Sequence, residues 1–404
     1  ALVAIDQRNG DILAMVGSVD YNSKAHNVLG SNNITTSPNR KMGSAIKPLM
    51  YATAFEMGWT PGVMLQDRPV CFPNAAPDPT YVNPVAPSCK GYYVPQDYEQ
   101  NNFSGTFPLR SQFDGSLNIA ATEAMEFVGA TPNTSQNFIS MVKRLGVTTI
   151  DKNSMGPTTA LGDQSLSLLQ LTGAYGTLAN LGKRAPARGI LKITSKKDGT
   201  LLWQAPVMPQ TQQVISAQAS YMVTSVLTDN PARAPFFKVH NPLVLDDDPK
   251  YANMAIAGKT GTSSGTGGPD DIVTAGYTPY MTLGVWVGNT DGSDPLNPNI
   301  IGVAGAGYIF HDVMQWAAHH YNWDPNATFA QPPLMARGIF NCNTGLAPYQ
   351  GSTTKDLNCA FNPITPNPID PKYYSYDPYL INGTDQTHRP DADWYITVDT
   401  PMTS

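Results

Sequence analysis

The chain opens with two short apolar runs, Ala1–Ile5 and Asp11–Val16, separated by a polar turn that contains Asn9-Gly10. Asn-Gly between such runs is a strong hairpin signal, because both residues tolerate the positive φ of a tight turn. Residues 18–40 are polar and read as a loop. Leu49–Met57 is largely apolar, free of proline and stopped by Gly58, which predicts a helix, with Pro48 tolerated only in its first turn. From about Phe107 the pattern turns helical, with helices predicted over Ile119–Val128, Asn137–Leu145, Leu166–Leu181 and Ser216–Leu227. Residues 189–205 alternate like a hairpin around Asp198-Gly199. Strand character returns at Met254–Thr262, and Ile272–Tyr277 with Met281–Val287 form a hairpin around Thr278-Pro279-Tyr280. Ala304–Tyr321 predicts a closing helix. Strands at both ends with helices between predict an α+β fold: an antiparallel sheet built from both chain ends and a helical cluster between them.

Two stretches break this pattern. Residues 59–105 hold eight prolines with Cys71 and Cys89, and read as an insertion near the mouth of a site. Residues 331–404 hold 10 of the 35 prolines with Cys342 and Cys359. Little regular structure is expected there beyond a small β module around that cysteine pair and an extended tail. The expected division is therefore a domain over 1–330 and an extension over 331–404.

The four cysteines form two local pairs, 18 and 17 residues apart. Two disulfides, Cys71–Cys89 and Cys342–Cys359, are the preferred reading over four free thiols, and imply an oxidising compartment. No C-x-x-C and no histidine at ligand spacing argues for zinc, so neither a metal nor a cofactor is expected. Charged residues make up 14%, against a typical share of about 25%, and the net charge is −6. Without a basic cluster or an aromatic-basic stripe, nucleic-acid binding is excluded. The low charge with abundant Asn, Thr, Ser and Tyr suits an extracytoplasmic protein. No apolar run approaches the roughly 18 residues of a membrane helix, and the chain, starting at Ala1, reads as a processed or trimmed piece.

Candidate chemistry centres on Ser44-Ala45-Ile46-Lys47. Positions i and i+3 share a helix face, so the hydroxyl and the amine can meet. At a helix start, orphan N–H groups and the positive end of the dipole favour an anion, which suits serine acyl transfer. One such pair is common on solvated faces. Ser116-Leu117-Asn118 precedes a predicted helix, where Ser116 alone would read as an N-cap. Lys259-Thr260-Gly261 lies on a predicted strand, where Lys259 alone would read as a solvated charge. Together, in this order and in these contexts, the three match the set found in penicillin-binding proteins and class A β-lactamases, with Leu117 in place of its Asp.

The surrounding text sharpens the match. Ala1-Leu2-Val3-Ala4-Ile5-Asp6, Asp11 to Gly17, Pro95-Gln96-Asp97-Tyr98, Ala160-Leu161-Gly162 and Gly276 to Asn289 resemble the transpeptidase domain of class A, bifunctional penicillin-binding proteins. The resemblance covers residues 1–321. Asp97 stands where that family usually has Asn, a difference expected to lie outside the chemistry, and the 59–105 insertion is unusual for it.

That resemblance, joined to general chemistry, implies a role for each motif residue. Ser44 attacks the D-Ala-D-Ala carbonyl, and Lys47 takes its proton. The amine of Lys47 must then be neutral, through burial and a nearby cation, Lys259. Ser116 relays a proton to the leaving amine, and Asn118 holds Lys47 and the substrate amide. Thr260 and Thr262 bind the terminal carboxylate with Lys259, and Gly261 lets the strand approach the substrate. Backbone N–H groups of Ser44 and Thr262 form the oxyanion hole. The implied enzyme is a D,D-transpeptidase that cross-links peptidoglycan stem peptides, passing a D-Ala-D-Ala donor to an amino acceptor, and is acylated and inhibited by β-lactams. It would work with the cell-wall synthesis machinery on the extracytoplasmic face of the bacterial membrane. A glycosyltransferase domain and a membrane helix would precede the residues present.

Three alternatives stay open at this stage. A D,D-carboxypeptidase shares every motif. A β-lactamase-type hydrolase is disfavoured by Leu117, by the lack of a matching glutamate motif, and by the 72 and 215 residues that separate Ser44 from Ser116 and Lys259. A non-catalytic β-lactam sensor or wall-binding scaffold could use the same fold.

Overall fold

The computed structural model describes residues 1–25, 27–72, 92–97, 105–129, 137–263, 267–292, 295–339 and 392–396. The opening hairpin forms as β1 (Leu2–Ile5) and β2 (Ile12–Val16), with Val3 opposite Met15 and Ala4 opposite Ala14. Three late strands join it: β3 (Ala257–Thr262), β4 (Asp271–Tyr277) and β5 (Thr282–Gly288). The sheet is antiparallel in the order β3-β4-β5-β1-β2. Early and late strands therefore meet at β1 and β5, where Val3 faces Gly284 and Ala4 faces Leu283. β3 is an edge strand.

β3, β4, β5 and β1 are largely buried on both faces while β2 is partly exposed, and the two-residue period sorts the buried side chains between two cores. Val3, Ile5, Val273, Ala275 and Tyr277 point into the larger one. Ala4, Ile272, Leu283 and Val285 point into the smaller. The helices are α1 (Lys47–Glu56), α2 (Leu109–Asp114), α3 (Asn118–Val128), α4 (Phe138–Arg144), α5 (Leu168–Ala179), α6 (Ala217–Leu227), α7 (Asn230–Phe237) and α8 (Ala306–His320). Leu168, Leu171 and Leu178 of α5 fill the larger core with α1 and α6, while Phe310 and Met314 of α8 cover the opposite face. Lys47 to Phe55 of α1 are all buried, as an apolar run with no polar face requires.

The antiparallel sheet with helices between its two halves follows the sequence pattern, and four local features depart from it. A 3₁₀ turn, Gly43–Ile46, precedes α1. β3 begins at Ala257, three residues after the apolar run does. Pro231 and Pro235 hide α7 from a pattern reading. Pro231 fits its first turn, and Asp229 caps it by accepting from the N–H of Ala232 at 3.1 Å. Lastly, the tail is not simply extended, since β6 (Met335–Ile339) pairs antiparallel with β7 (Ala392–Ile396). The module expected around Cys342 and Cys359 lies outside the described residues.

The insertion is anchored at its base. Met64–Asp67 pairs with Gly105–Pro108, and Phe72 bridges Tyr93. Both expected cysteine pairings reach residues outside the described ones; Cys71, the one described cysteine, is not a free thiol. Among the described residues no helix is long and apolar enough to cross a membrane.

Two buried ion pairs brace α2 against α7. Arg110 Nη1 lies 3.1 Å from Asp229 Oδ2, and Arg233 Nη2 lies 3.0 Å from Asp114 Oδ1. α2 contributes Arg110 and Asp114, while α7 contributes Arg233 and its cap residue Asp229, so the acid and the base come in opposite order. Arg233 also donates to the carbonyls of Leu227 and, at 3.4 Å, Gly258, so it ties α2 to the strand before Lys259. Removing one partner of such a pair strands a buried charge. Arg233→Met should therefore lower the unfolding free energy by about 3–5 kcal/mol in a denaturant titration. Arg8→Met, which removes the exposed partner of the pair with Asp6, should change it by less than about 1 kcal/mol.

Candidate active site

Ser44 sits half-buried in the 3₁₀ turn that runs into α1, with Pro48 in the first turn of that helix. Two glycines let this turn press against β3. Gly43 has φ 52°, and a Cβ there would stand 2.6 Å from the backbone N of Thr262. A Cβ at Gly261 would overlap the carbonyl oxygen of Met42 and stand 2.9 Å from the N of Ala45. The missing side chain of Gly261 thus makes room for the serine turn, rather than only for a substrate beside the strand. Tyr175 of α5 completes the clamp, its hydroxyl donating to the Ala45 carbonyl at 2.7 Å. These contacts bring the backbones of the Ser44 turn and of Thr262 together.

Lys47 points the other way from the turn's backbone, into a fully buried space. Its Nζ donates to the carbonyls of Ser116 (2.7 Å) and Leu117 (3.1 Å) and to Asn118 Oδ1 (2.8 Å). Lys259 reaches the same stretch from β3. Its Nζ donates to Ser116 Oγ at 2.7 Å and to the Thr260 carbonyl at 3.0 Å. Lys259 is 2% exposed, so it is not a solvated strand charge. Nor does Ser116 cap α3, because the cap position is Leu117, which has no side-chain acceptor. Ser116 instead holds φ 64°, a conformation that costs a non-glycine residue about 1–3 kcal/mol. That twist sends its carbonyl to Lys47 and its hydroxyl to Lys259.

Burial governs the charges. It lowers the Lys47 amine to about 7, against the opposing pull of the Asp97 carboxylate. It also holds the Lys259 amine well below its ordinary value, helped by Lys47 and Arg233 and opposed by Asp114. Desolvation, rather than a cation at Lys259, is thus the chief reason Lys47 can lose its proton near neutrality. Two neighbouring buried amines do not both keep a proton cheaply. Thr262 Oγ1 accepts from the N–H of Gly302 at 2.9 Å, so its hydroxyl hydrogen can still be donated. Thr260 is buried beside it.

The structure therefore brings Ser44, Lys47, Ser116, Asn118, Lys259, Thr260, Gly261 and Thr262 into one site. Asp97, which stands where the resembled family usually has Asn, touches Asn118 directly. Its Oδ1 accepts from the N–H of Asn118, and the carbonyl of Gln96 accepts from Asn118 Nδ2 at 2.7 Å. The departure from Asn at this position was its only sequence signal. Tyr175 and the Arg233–Asp114 pair carried none, lying in apolar or proline-marked helices outside any motif.

A family model of the penicillin binding protein transpeptidase domain matches residues 1–76 and 82–315. Penicillin-binding protein 1A of Aquifex aeolicus is 29% identical over 340 residues, covering 82% of this chain and 39% of that protein. Penicillin-binding protein 2D of Bacillus subtilis is 27% identical over 361 residues, covering 87% and 45%. The chain thus spans less than half the length of these relatives. Among solved structures, penicillin-binding protein 1A from Haemophilus influenzae is similar with a TM-score of 0.67 at 22% identity, covering 87% of this chain and 52% of that one. PonA1 from Mycobacterium tuberculosis, in complex with penicillin V, gives 0.64 at 21% identity, covering 82% and 80%. At these identities the structures establish the fold, and the family model, which takes in most of the chain, establishes the family. By fold, by site and by sequence, the chain belongs to the transpeptidase domain family of penicillin-binding proteins, of the class A type.

Proposed function

We propose that this chain is the D,D-transpeptidase part of a peptidoglycan synthase and works through an acyl-enzyme on Ser44. The observation that carries the reading is the buried network in which Lys47 and Lys259 converge on Ser116 and Asn118 beside the serine turn. In the free enzyme Lys47 donates three hydrogen bonds, as an ammonium does. A neutral amine keeps two donors, so one contact is released when its lone pair turns to Ser44 Oγ. Ser44 Oγ then attacks the carbonyl carbon of the penultimate D-Ala, and its proton passes to Lys47. Backbone N–H groups of Ser44 and Thr262 take the oxyanion. On collapse the C–N bond breaks, and the leaving D-Ala amine receives a proton through Ser116 Oγ, which Lys259 supports. An amino group of a second stem peptide attacks the ester, restoring Ser44 and forming the cross-link.

β3 is an edge strand, so an extended peptide can lie along it, its carboxylate against Thr260, Thr262 and Lys259. A β-lactam presents the same carbonyl. Its leaving nitrogen stays tethered after ring opening, occupies the acceptor's path, and leaves a long-lived ester.

The reading extends to the whole molecule. Residues 1–330 act as the transpeptidase domain, with 59–105 as an insertion and 331–404 as an extension stapled by Cys342–Cys359, while Cys71–Cys89 staples the insertion. The site faces the extracytoplasmic side of the cell membrane, where the cell-wall machinery works, and a glycosyltransferase domain and an anchor belong to the longer protein.

Fluorescent penicillin should leave one adduct, mapped by mass to the Ser44 peptide and lasting many minutes, and Ser44→Ala should abolish it. A quickly cleared adduct would favour a carboxypeptidase or β-lactamase-type hydrolase, and no adduct would leave a scaffold role. Lys47→Ala should slow acylation by about 10²–10⁴-fold. The acylation rate of the wild type should rise with pH through a midpoint of about 7. Below that midpoint Lys47 holds its proton and cannot accept one from Ser44, so stopped-flow acylation across the pH range reads its titration directly.

A further inference from the structure

One buried acid beside the proposed base has no part in the mechanism above. Asp97 is 8% exposed and reaches the first turn of α3 from the returning arm of the insertion. Asn118 is the first residue of that helix, so no group within the helix can satisfy its N–H. Asp97 Oδ1 does so from 21 residues upstream, which makes it a cap supplied from outside the helix. A carboxylate there also meets the positive end of the helix dipole. With Gln96 holding the Asn118 side chain, residues 96 and 97 fix both ends of the residue that receives Lys47 at 2.8 Å. Asp97 Oδ2 is buried with no hydrogen-bond partner among the described residues.

Several charged or titratable groups surround Lys47. Lys259 faces it from β3 across Ser116, with Asp114 of α2 and Arg233 of α7 behind Lys259. Tyr51 lies one turn along α1, and Glu123 of α3 acts on that tyrosine. Tyr93 stands on the arm that carries Asp97 and also feels Asp163. Among these groups, Asp97 is the carboxylate whose charge acts on Lys47 itself.

We propose that Asp97 is a positioning residue for acyl transfer: it caps α3 so that Asn118 Oδ1 meets Lys47, and it sets a negative charge opposite the general base. This rests on the reading of Lys47 as the proton acceptor for Ser44. Asp97→Asn keeps an acceptor for the Asn118 N–H and removes only the charge, whereas Asp97→Ala removes both.

The test is the pH profile of acylation by fluorescent penicillin. Without the carboxylate the Lys47 ammonium loses a stabilising partner, so the neutral amine persists to lower pH. Asp97→Asn should move the acid limb down by about one pH unit and raise the rate at pH 6 several-fold over wild type. Asp97→Ala should show the same shift with a lower plateau rate, because Asn118 is no longer held. If neither variant moves the acid limb while both label normally at the plateau, the inference is overturned and the Ser44–Lys47 reading stands. If the wild type itself fails to label at any pH, the underlying reading fails instead.

Discussion

Burying two lysine amines against one three-residue turn is the constraint on which the rest of this molecule depends. An ammonium removed from water is costly unless its donors are met, and here a single stretch, Ser116 to Asn118, meets most of them. That stretch must hold an unfavourable backbone angle at Ser116 to present a carbonyl one way and a hydroxyl the other. It holds because both flanks are pinned. Upstream, α2 is braced to α7 by two crossed Arg–Asp pairs; downstream, α3 is capped by Asp97. The strain at Ser116 and the depressed Lys47 amine are two results of the same packing.

The serine turn obeys a second constraint, which is one of space. Ser44 has to lie against the edge strand of the sheet, and side chains at Gly43 and Gly261 would forbid it. The turn is then held between that strand, Tyr175 of α5 and a helix, α1, buried along nearly its whole length. The proposed nucleophile, base and donor strand are thus mounted on rigid elements rather than on loops, as precise positioning requires.

The insertion belongs to the site rather than decorating it. Its base ladder ends at Pro108, where α2 begins, and Gln112 Nε2 ties that helix back to the ladder through the carbonyls of Leu65 and Phe107, each at 2.8 Å. Its returning arm carries Gln96 and Asp97 to Asn118. An excursion of 59–105 therefore bears on the proposed proton acceptor through covalent continuity on one side and a side-chain cap on the other.

The two-residue and helical periods of the chain, its turn residues and its three separated motifs were enough to set out the α+β sheet and the residues that gather beneath it. Those are local properties, set by alternation, glycine and proline placement, and short spacings. Everything that depends on which distant groups share a dry space needed the tertiary structure. A Ser before an apolar run looks like a cap until Leu117 is found in that place, and Lys259 looks solvated until the folded chain leaves it 2% exposed. Pro231 and Pro235 conceal α7 from any periodic reading, and Asp97 shows no link to Asn118 because the two lie 21 residues apart in the chain. Burial is a collective quantity: desolvation, and with it the protonation of Lys47, exists only once strands from both ends of the sequence have paired and the helices have packed over them.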